Sequence, residues 1–400
     1  MAASFGKLWA ELEPVGRDPV TGGYRRFAWT WEDRVLREWF AACAGSRGLD
    51  VVTDRAGNQW AWWGDPDAAR TGAGSGVVVG SHLDSVPDGG AFDGPLGVVS
   101  ALLTIDALRA AGVTPSRPIG VVNFGDEEGA RFGVACAGSR MLTGTLPRDR
   151  ALGLRDGDGR SMAEAMSAAG HDAAHVGRDE DTLRRIGCFV ELHVEQGRGL
   201  IDLGRPVAVG TAIWAHGRWR MEFAGEANHA GTTRLEDRHD PMLDYAAAVL
   251  QARELARKYG IVATCGKVTV EPNGVNAIPS RVRGWLDARS ADADTVRALV
   301  GELSQGRDVH EESWTPATPF DTVLGDRCAA VLDDAPRLAS GAGHDAGVLA
   351  EAGVTTAMLF VRNPTGISHS PAEFAERDDC LRGVKALTAV VTDLVVGETT

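Results

Sequence analysis

The sequence predicts an α/β protein with a mostly parallel sheet and helices on both faces, interrupted by a smaller α+β domain. Three observations carry this. Short continuous apolar runs, Gly76–Gly80 and Pro118–Phe124, read as strands buried on both faces, and a long helical pattern, Leu96–Ala111, lies between them. From about Thr211 the order becomes strand, helix, strand, strand, helix, as in a ferredoxin-like sandwich. After about Asp321 the α/β alternation resumes. The expected organisation is a discontinuous domain, residues 1–210 and 322–400, around an inserted domain, residues 211–321.

Taken in order, Trp31–Arg47 places Val35, Trp39, Phe40 and Cys43 at helical spacing and stops at Gly48. Asp50–Thr53 and Gln59–Trp63 read as strands around the turn Arg55–Asn58. Leu152–Arg185 reads as helices with loops, and Cys188–Val194 as a further strand. In the insertion, Arg218–Ala224, Gly266–Val270 and Val282–Arg289 are the expected strands, with helices at Met242–Tyr259 and Asp292–Gln305. A strand at Thr356–Val361 and a helix at Asp378–Val395 follow. The tryptophans Trp29, Trp31, Trp60, Trp62 and Trp63 are spread through a helix and strands, which suits a core better than a stacking platform.

Composition excludes several classes. The 41 Lys and Arg against 55 Asp and Glu give a net charge of −14, a field that does not attract nucleic acid or anionic membrane. No apolar run approaches the roughly 20 residues of a bilayer span, and no secretory signal pattern opens the chain. The six cysteines are scattered without a C-x-x-C pair, so buried thiols in a cytoplasmic protein are expected. Glycine is in surplus, 50 of 400 residues, against an average of about 7%.

Metal-type residues gather where the strands end. Ser81-His82-Leu83-Asp84 and Phe92-Asp93-Gly94 follow the Gly76–Gly80 run, and Asp126-Glu127-Glu128 follows Phe124. Glu191-Leu192-His193 runs into Glu195-Gln196, and Ser368-His369-Ser370 follows the Thr356–Val361 strand. Ligands of doubly wound sheets bind beyond the carboxyl ends of the strands. Three histidines and several carboxylates at one such edge suit a pair of divalent cations, zinc or manganese before magnesium or calcium, with cobalt and nickel as further candidates.

The runs GSHLDSVPDGGAFDGPLGV, DEEGARF, ELHVEQG, NHAGTT, VNAIPS, SGAGHDA and GISHSPAE together resemble the amidase (hydantoinase/carbamoylase) branch of the M20 metallopeptidase superfamily. The resemblance spans about residues 80–373 and implies a di-metal catalytic domain with an inserted lid and dimerisation domain. Carried over by position, it implies that His82 and His193 hold one ion and Glu128 and His369 the other. Asp93 would bridge them, and Asp84 would orient the His82 imidazole. Glu127 is similar to the general base of that branch, and His229 to its donor for the tetrahedral oxyanion, reaching the partner subunit of a homodimer. Gln196, Asn276 and Arg289 match substrate-binding positions, Arg289 as a fork for a carboxylate. Arg238 and Asp240 are expected to be structural, and His344 to shape the pocket floor rather than ligate.

The activity implied is metal-assisted hydrolysis of a ureido C–N bond in a small carboxylate. Allantoate ranks first, which would place the protein in purine catabolism. N-carbamoyl-L-amino acids, ureidoglycolate and beta-ureidopropionate are the alternatives. A dipeptidase of the same superfamily fits the Glu195-Gln196 and Gly231-Thr232-Thr233 runs less well. A non-catalytic binding protein would have lost one of the ligands or the base, and all are present. The chain departs from the branch at Arg234-Leu235 and Gly197-Arg198, neither of which removes a catalytic group.

Overall fold

The computed structural model describes residues 1–67 and 75–396. Strands β1 (Asp50–Thr53), β2 (Gln59–Trp63), β3 (Gly76–His82), β4 (Ile119–Phe124), β5 (Ile186–Val194) and β6 (Val207–Ile213) come first. Next are β7 (Ala215–Ala224), β8 (Asn228–His229), β9 (Val262–Glu271), β10 (Ala277–Ile278), β11 (Arg281–Ser290) and β12 (Asp308–Thr315). Then come β13 (Thr318–Pro319), β14 (Arg337–Ser340) and β15 (Thr355–Val361). The chain divides into two compact units, Met1–Ala212 with Pro319–Thr400, and Ile213–Thr318.

The larger unit is built on a sheet of order β1-β2-β4-β3-β5-β15-β6-β13, with β14 on β6. Its centre, β4-β3-β5-β15, is parallel. The flanks are antiparallel: β2 joins β4, and β6 joins β15, in the reverse sense. The β1–β2 hairpin follows from the tight Asp54–Asn58 turn, since a parallel return needs a crossover of a dozen or more residues. β3 and β4 are buried along their whole length, as central parallel strands must be. Gly80 (φ +151°) lies where a Cβ would come within 2.0 Å of the Val122 carbonyl oxygen, so β3 passes β4 there only with glycine.

Helices Pro95–Ala110 and Arg377–Val396 pack against each other and over β3 and β15. The opposite face carries Ala137–Thr143, Glu180–Arg185 and Asp345–Glu351. Trp60 and Trp62 stack at 6.2 Å in this core, and Trp60 meets Phe124 edge-on at 5.8 Å. Trp31 departs from the expected core role: it is 64% exposed at the start of its helix, with the Arg34 guanidinium over its ring. Burial leaves five cysteines inside, Cys265 is half-buried, and all six are free thiols. Among the described residues no helix is long and apolar enough to cross a membrane.

In the smaller unit the antiparallel order β12-β7-β11-β9 carries both long helices, Pro241–Tyr259 and Ala293–Leu303, on one apolar face. Trp219, Met221 and Phe223 alternate along β7 toward those helices, as a half-buried strand requires. The other face is a ladder of ion pairs that includes Arg218–Asp287 and Arg283–Glu271. With two crossing helices and this strand order, the unit is ferredoxin-like. β12 was not anticipated, because its residues are mostly polar and exposed, and β6 and the N-terminal helix Ala2–Leu12 were likewise missed.

Candidate metal centre

Because β4, β3, β5 and β15 are parallel, their carboxyl ends share one edge of the sheet. His82 ends β3, Glu127 and Glu128 follow β4, His193 lies one residue before the end of β5, and His369 lies in the loop after β15. Asp93 comes from the loop between β3 and the helix Pro95–Ala110. The fold thus draws these six side chains to one place from segments almost 290 residues apart (369 − 82 = 287).

Five of them, all but Glu127, form two triads that share Asp93. His82, Asp93 and His193 make one, and Asp93, Glu128 and His369 the other. Asp93 Oδ1 lies 3.1 Å from His193 Nε2 and 3.7 Å from His82 Nε2. Its other oxygen, Oδ2, lies 3.5 Å from His369 Nε2, which is also 3.5 Å from Glu128 Oε2. Ligands about 2.0–2.1 Å from one tetrahedral ion are roughly 3.3 Å apart, so the spacing suits a cation in each triad. Nε2 of His82 and of His193 are buried without a hydrogen-bond partner in the protein, which such a cation would satisfy.

The electrostatics agree. Burial and then the neighbouring carboxylates, Asp93 foremost, push Glu128 up to about 8. Glu127 is driven well above the carboxylate range by burial, against the nearby His82. Burial alone would lower His82, yet Glu127, Asp84 and Asp93 outweigh it and hold the imidazole well above its usual value. Burial would raise Asp93, but His193 and His82 hold it well below. The cluster has more carboxyl groups than its two buried imidazoles could balance with all of them ionised, a role that divalent cations would fill.

A third group, Glu191, His193 and His344, also brings ligand atoms together. Its members are already engaged: Glu191 accepts from Ser81 Oγ at 2.7 Å and from Ala346 N at 3.1 Å, and His344 Nε2 meets Ser340 Oγ at 3.1 Å. His344 stands edge-on to His193 at 4.6 Å, supporting that ring. The two triads sharing Asp93 are therefore the better cation sites.

The surrounding contacts orient the donors. The His193 Nδ1 meets the Val194 carbonyl at 2.9 Å and the His82 Nδ1 meets that of Asp84 at 3.1 Å, which turns both Nε2 atoms inward. Asp84 accepts from the backbone of Glu127 at 3.1 Å and of Glu128 at 3.0 Å, so one carboxylate fixes both acids after β4. Gly94 (φ +84°) sits where a Cβ would come within 2.4 Å of the His82 ring, leaving no room for any other residue. His369 adopts a left-handed φ of +54°, a sparsely populated backbone state held by its loop.

Two residues outside the expected set hold Asp93. Glu373 Oε1 accepts from the backbone of Phe92 at 2.8 Å and of Asp93 at 3.0 Å. Ser368 Oγ lies 3.1 Å from Asp93 Oδ2 and 3.2 Å from Glu373 Oε2. Their only sequence signal is position within the GISHSPAE run. Glu373→Gln should lower metal affinity about 10–100-fold, the range for partners one layer behind a ligand. Chelator competition measures this, and unchanged affinity would remove Glu373 from that role.

Gln196, expected at the substrate, donates to Asp93 Oδ2 at 2.8 Å and lies 3.4 Å from His369 Nε2, while its Oε1 is buried without a partner. The other expected residues belong to the smaller unit. His229 on β8 pairs with Ala277 on β10, and its Nδ1 accepts from Gly231 N at 3.0 Å. Asn276 is exposed, and its carbonyl accepts from Ala230 N at 2.9 Å. Arg289 grips Asp287 through Nε at 2.7 Å and Nη2 at 3.1 Å. Arg238 holds the Ala230 and Thr233 carbonyls and Asp240 caps the helix Pro241–Tyr259, a structural use of both.

Fold and donor set together define a class: a two-unit α/β hydrolase with a candidate metal centre at the carboxyl edge of its sheet. Residues 78–393 match the model of Peptidase family M20/M25/M40, and the chain belongs to that family. It is 38% identical over 413 residues to an N-carbamoyl-L-amino acid amidohydrolase of Geobacillus stearothermophilus, covering 98% of this chain and 99% of that protein. It is 32% identical over 402 residues to an allantoate amidohydrolase of Escherichia coli (strain K12), covering 96% and 95%. The crystal structure of an amidase of the hydantoinase/carbamoylase family from Burkholderia multivorans superposes with a TM-score of 0.86 at 28% identity, covering 99% of this chain and 98% of that one. The chain is thus a hydrolase of the amidohydrolase type.

Proposed function

We propose that the protein hydrolyses the ureido C–N bond of a small carboxylate. The observation that carries this is the pair of donor triads joined through the two oxygens of Asp93, with the Glu127 carboxylate beside them, 3.7 Å from His82 Nε2. Two divalent ions, zinc or manganese with cobalt or nickel as alternatives, would be held by His82, His193, Asp93, Glu128 and His369. When bound they supply Lewis acidity toward a carbonyl oxygen and lower the pKa of water.

Glu127 takes a proton from the attacking water and delivers it to the leaving nitrogen as the ureido C–N bond breaks. Neither of its carboxylate oxygens is claimed by a triad, so it is available for this work. The family resemblance assigns His229 to the developing oxyanion in the active site of a partner subunit, and Gln196, Asn276 and Arg289 to the ureido and carboxylate groups of the substrate. Allantoate ranks first from the sequence. The 38% identity to an N-carbamoyl-L-amino acid amidohydrolase supports carbamoyl amino acids as a second reading. Ammonia release from metal-loaded protein, assayed with allantoate, ureidoglycolate and several N-carbamoyl-L-amino acids beside a dipeptide control, tests it. Dipeptide cleavage without ammonia from any ureido substrate would overturn the proposal.

The same reading includes a homodimer. Helix Pro241–Tyr259 exposes Leu243 and Leu250, each 70% accessible, two turns apart with Ala246 and Ala247 between them. It packs beside the edge strand β9, which exposes Val262 and Val268. An apolar stripe next to an open strand edge suits pairing with a second copy. The double variant Leu243→Arg, Leu250→Arg should be monomeric by light scattering while its circular dichroism stays unchanged. A persistent dimer would exclude this face.

A further inference from the structure

Glu127 is held at three points. Its backbone N–H donates to Asp84, and its carbonyl accepts from Cys136 N. Among the described residues its side chain takes a hydrogen bond from Cys136, whose thiol donates to Glu127 Oε1 at 3.2 Å. Cys136 sits in a left-handed conformation (φ +54°) as the N-cap of the helix Ala137–Thr143. Two neighbours extend the backbone link, Ala137 N to the Asp126 carbonyl and Gly138 N to that of Gly125, both at 2.9 Å. The loop carrying the acids is therefore stitched to the helix start, with the Cys136 side chain, 3% exposed, against the Glu127 carboxylate.

That contact divides the work of the two oxygens. Oε1 receives the thiol hydrogen, and Oε2 is the oxygen near His82 Nε2, at 3.7 Å. A carboxylate pinned at one oxygen cannot swing about its final torsion, which is otherwise broad and soft. We propose that Cys136 is a positioning residue that fixes the rotamer of Glu127, leaving Oε2 as the oxygen that handles the proton. This rests on Glu127 being the base.

The test replaces the thiol in three ways. Cys136→Ala and Cys136→Gly remove the donor, and glycine also suits the left-handed backbone if alanine folds poorly. Cys136→Ser keeps a donor. A thiol is a weak donor, so the loss of its hydrogen bond, in the range of an ordinary neutral one, should lower kcat about three- to tenfold, with KM and metal content unchanged. Serine should restore most of the rate. The S–H stretch in the Raman spectrum, isolated by difference against Cys136→Gly, should lie below that of a free thiol. A kcat within twofold of the parent in the donor-less variants, serine as impaired as alanine, lost metal, or an unshifted S–H band would each overturn the proposal. Glu127→Gln runs beside them: if it retains turnover, the assignment of the base has failed, a result distinct from any of these.

Discussion

Glu127→Gln is expected to lower kcat by about 10²–10⁴-fold, the contribution of a positioned general base, while the protein still binds its full complement of metal. The two halves of that result come from different contacts. Metal should be retained because Glu127 belongs to neither triad, and because the amide is nearly the shape of the carboxylate. The Asp84 bond to its backbone survives the change, so Glu128 remains in place one residue on. Turnover should fall because an amide nitrogen or oxygen cannot carry the proton from water to the leaving group. Steady-state kinetics with elemental analysis of the same sample checks both. A variant within tenfold of the parent would remove Glu127 as the base, and one that lost metal would make it a ligand.

Asp93→Asn should be more damaging still, and in a different way. Asp93 gives Oδ1 to one triad and Oδ2 to the other, so under the proposed function one side chain would serve two ions. Asparagine keeps the volume but offers only one oxygen, and it loses the charge that offsets two cations. Metal content should drop from two ions per chain to one or none, and turnover by roughly a thousandfold or more, above the 10–100-fold typical of a residue one layer further out. Fold should persist, since Glu373 holds the backbone of residue 93 and not its carboxylate. Two ions bound at parental affinity would show that Asp93 is not the bridge.

What could be read from the sequence depended on whether a residue's partners were near it in the pattern. The gathering of His82, Glu127, Glu128 and His193 was legible because each sits at or just past a strand end, and that of Asp93 and His369 because their loops follow β3 and β15, where a doubly wound sheet places its chemistry. Glu373 was not, because its partners are backbone N–H groups 281 and 280 residues away, and no local spacing marks such a bond. Cys136 looked like one more scattered thiol, and only the stitch between the β4 loop and the next helix brings it to Glu127. Among the strands, β12 escaped because as a sheet edge it buries little and so lacks alternation. Trp31 misled in the opposite direction: a large aromatic ring suggested burial, but a guanidinium covers it instead. The glycine surplus was partly a matter of the site, as at Gly80 and Gly94, and partly of open turns such as Gly112 and Gly353, where a side chain would meet nothing.

The position of β15 has a consequence for the newly made chain. This strand lies between β5 and β6, yet it is synthesised after both of them and after the whole of Ile213–Thr318. Translation delivers residues in order, at about 5–20 per second, so for several seconds the growing chain carries β5 with one edge unpaired. That edge is apolar and buried in the finished protein, the kind of edge that pairs with other chains when left open. The smaller unit can fold during this interval, whereas the larger one must wait for its own C-terminal third. His369 and Glu373 arrive later still, so the triad of Asp93, Glu128 and His369 cannot be completed before β15 is made, whereas His82, Asp93 and His193 are all synthesised long before it.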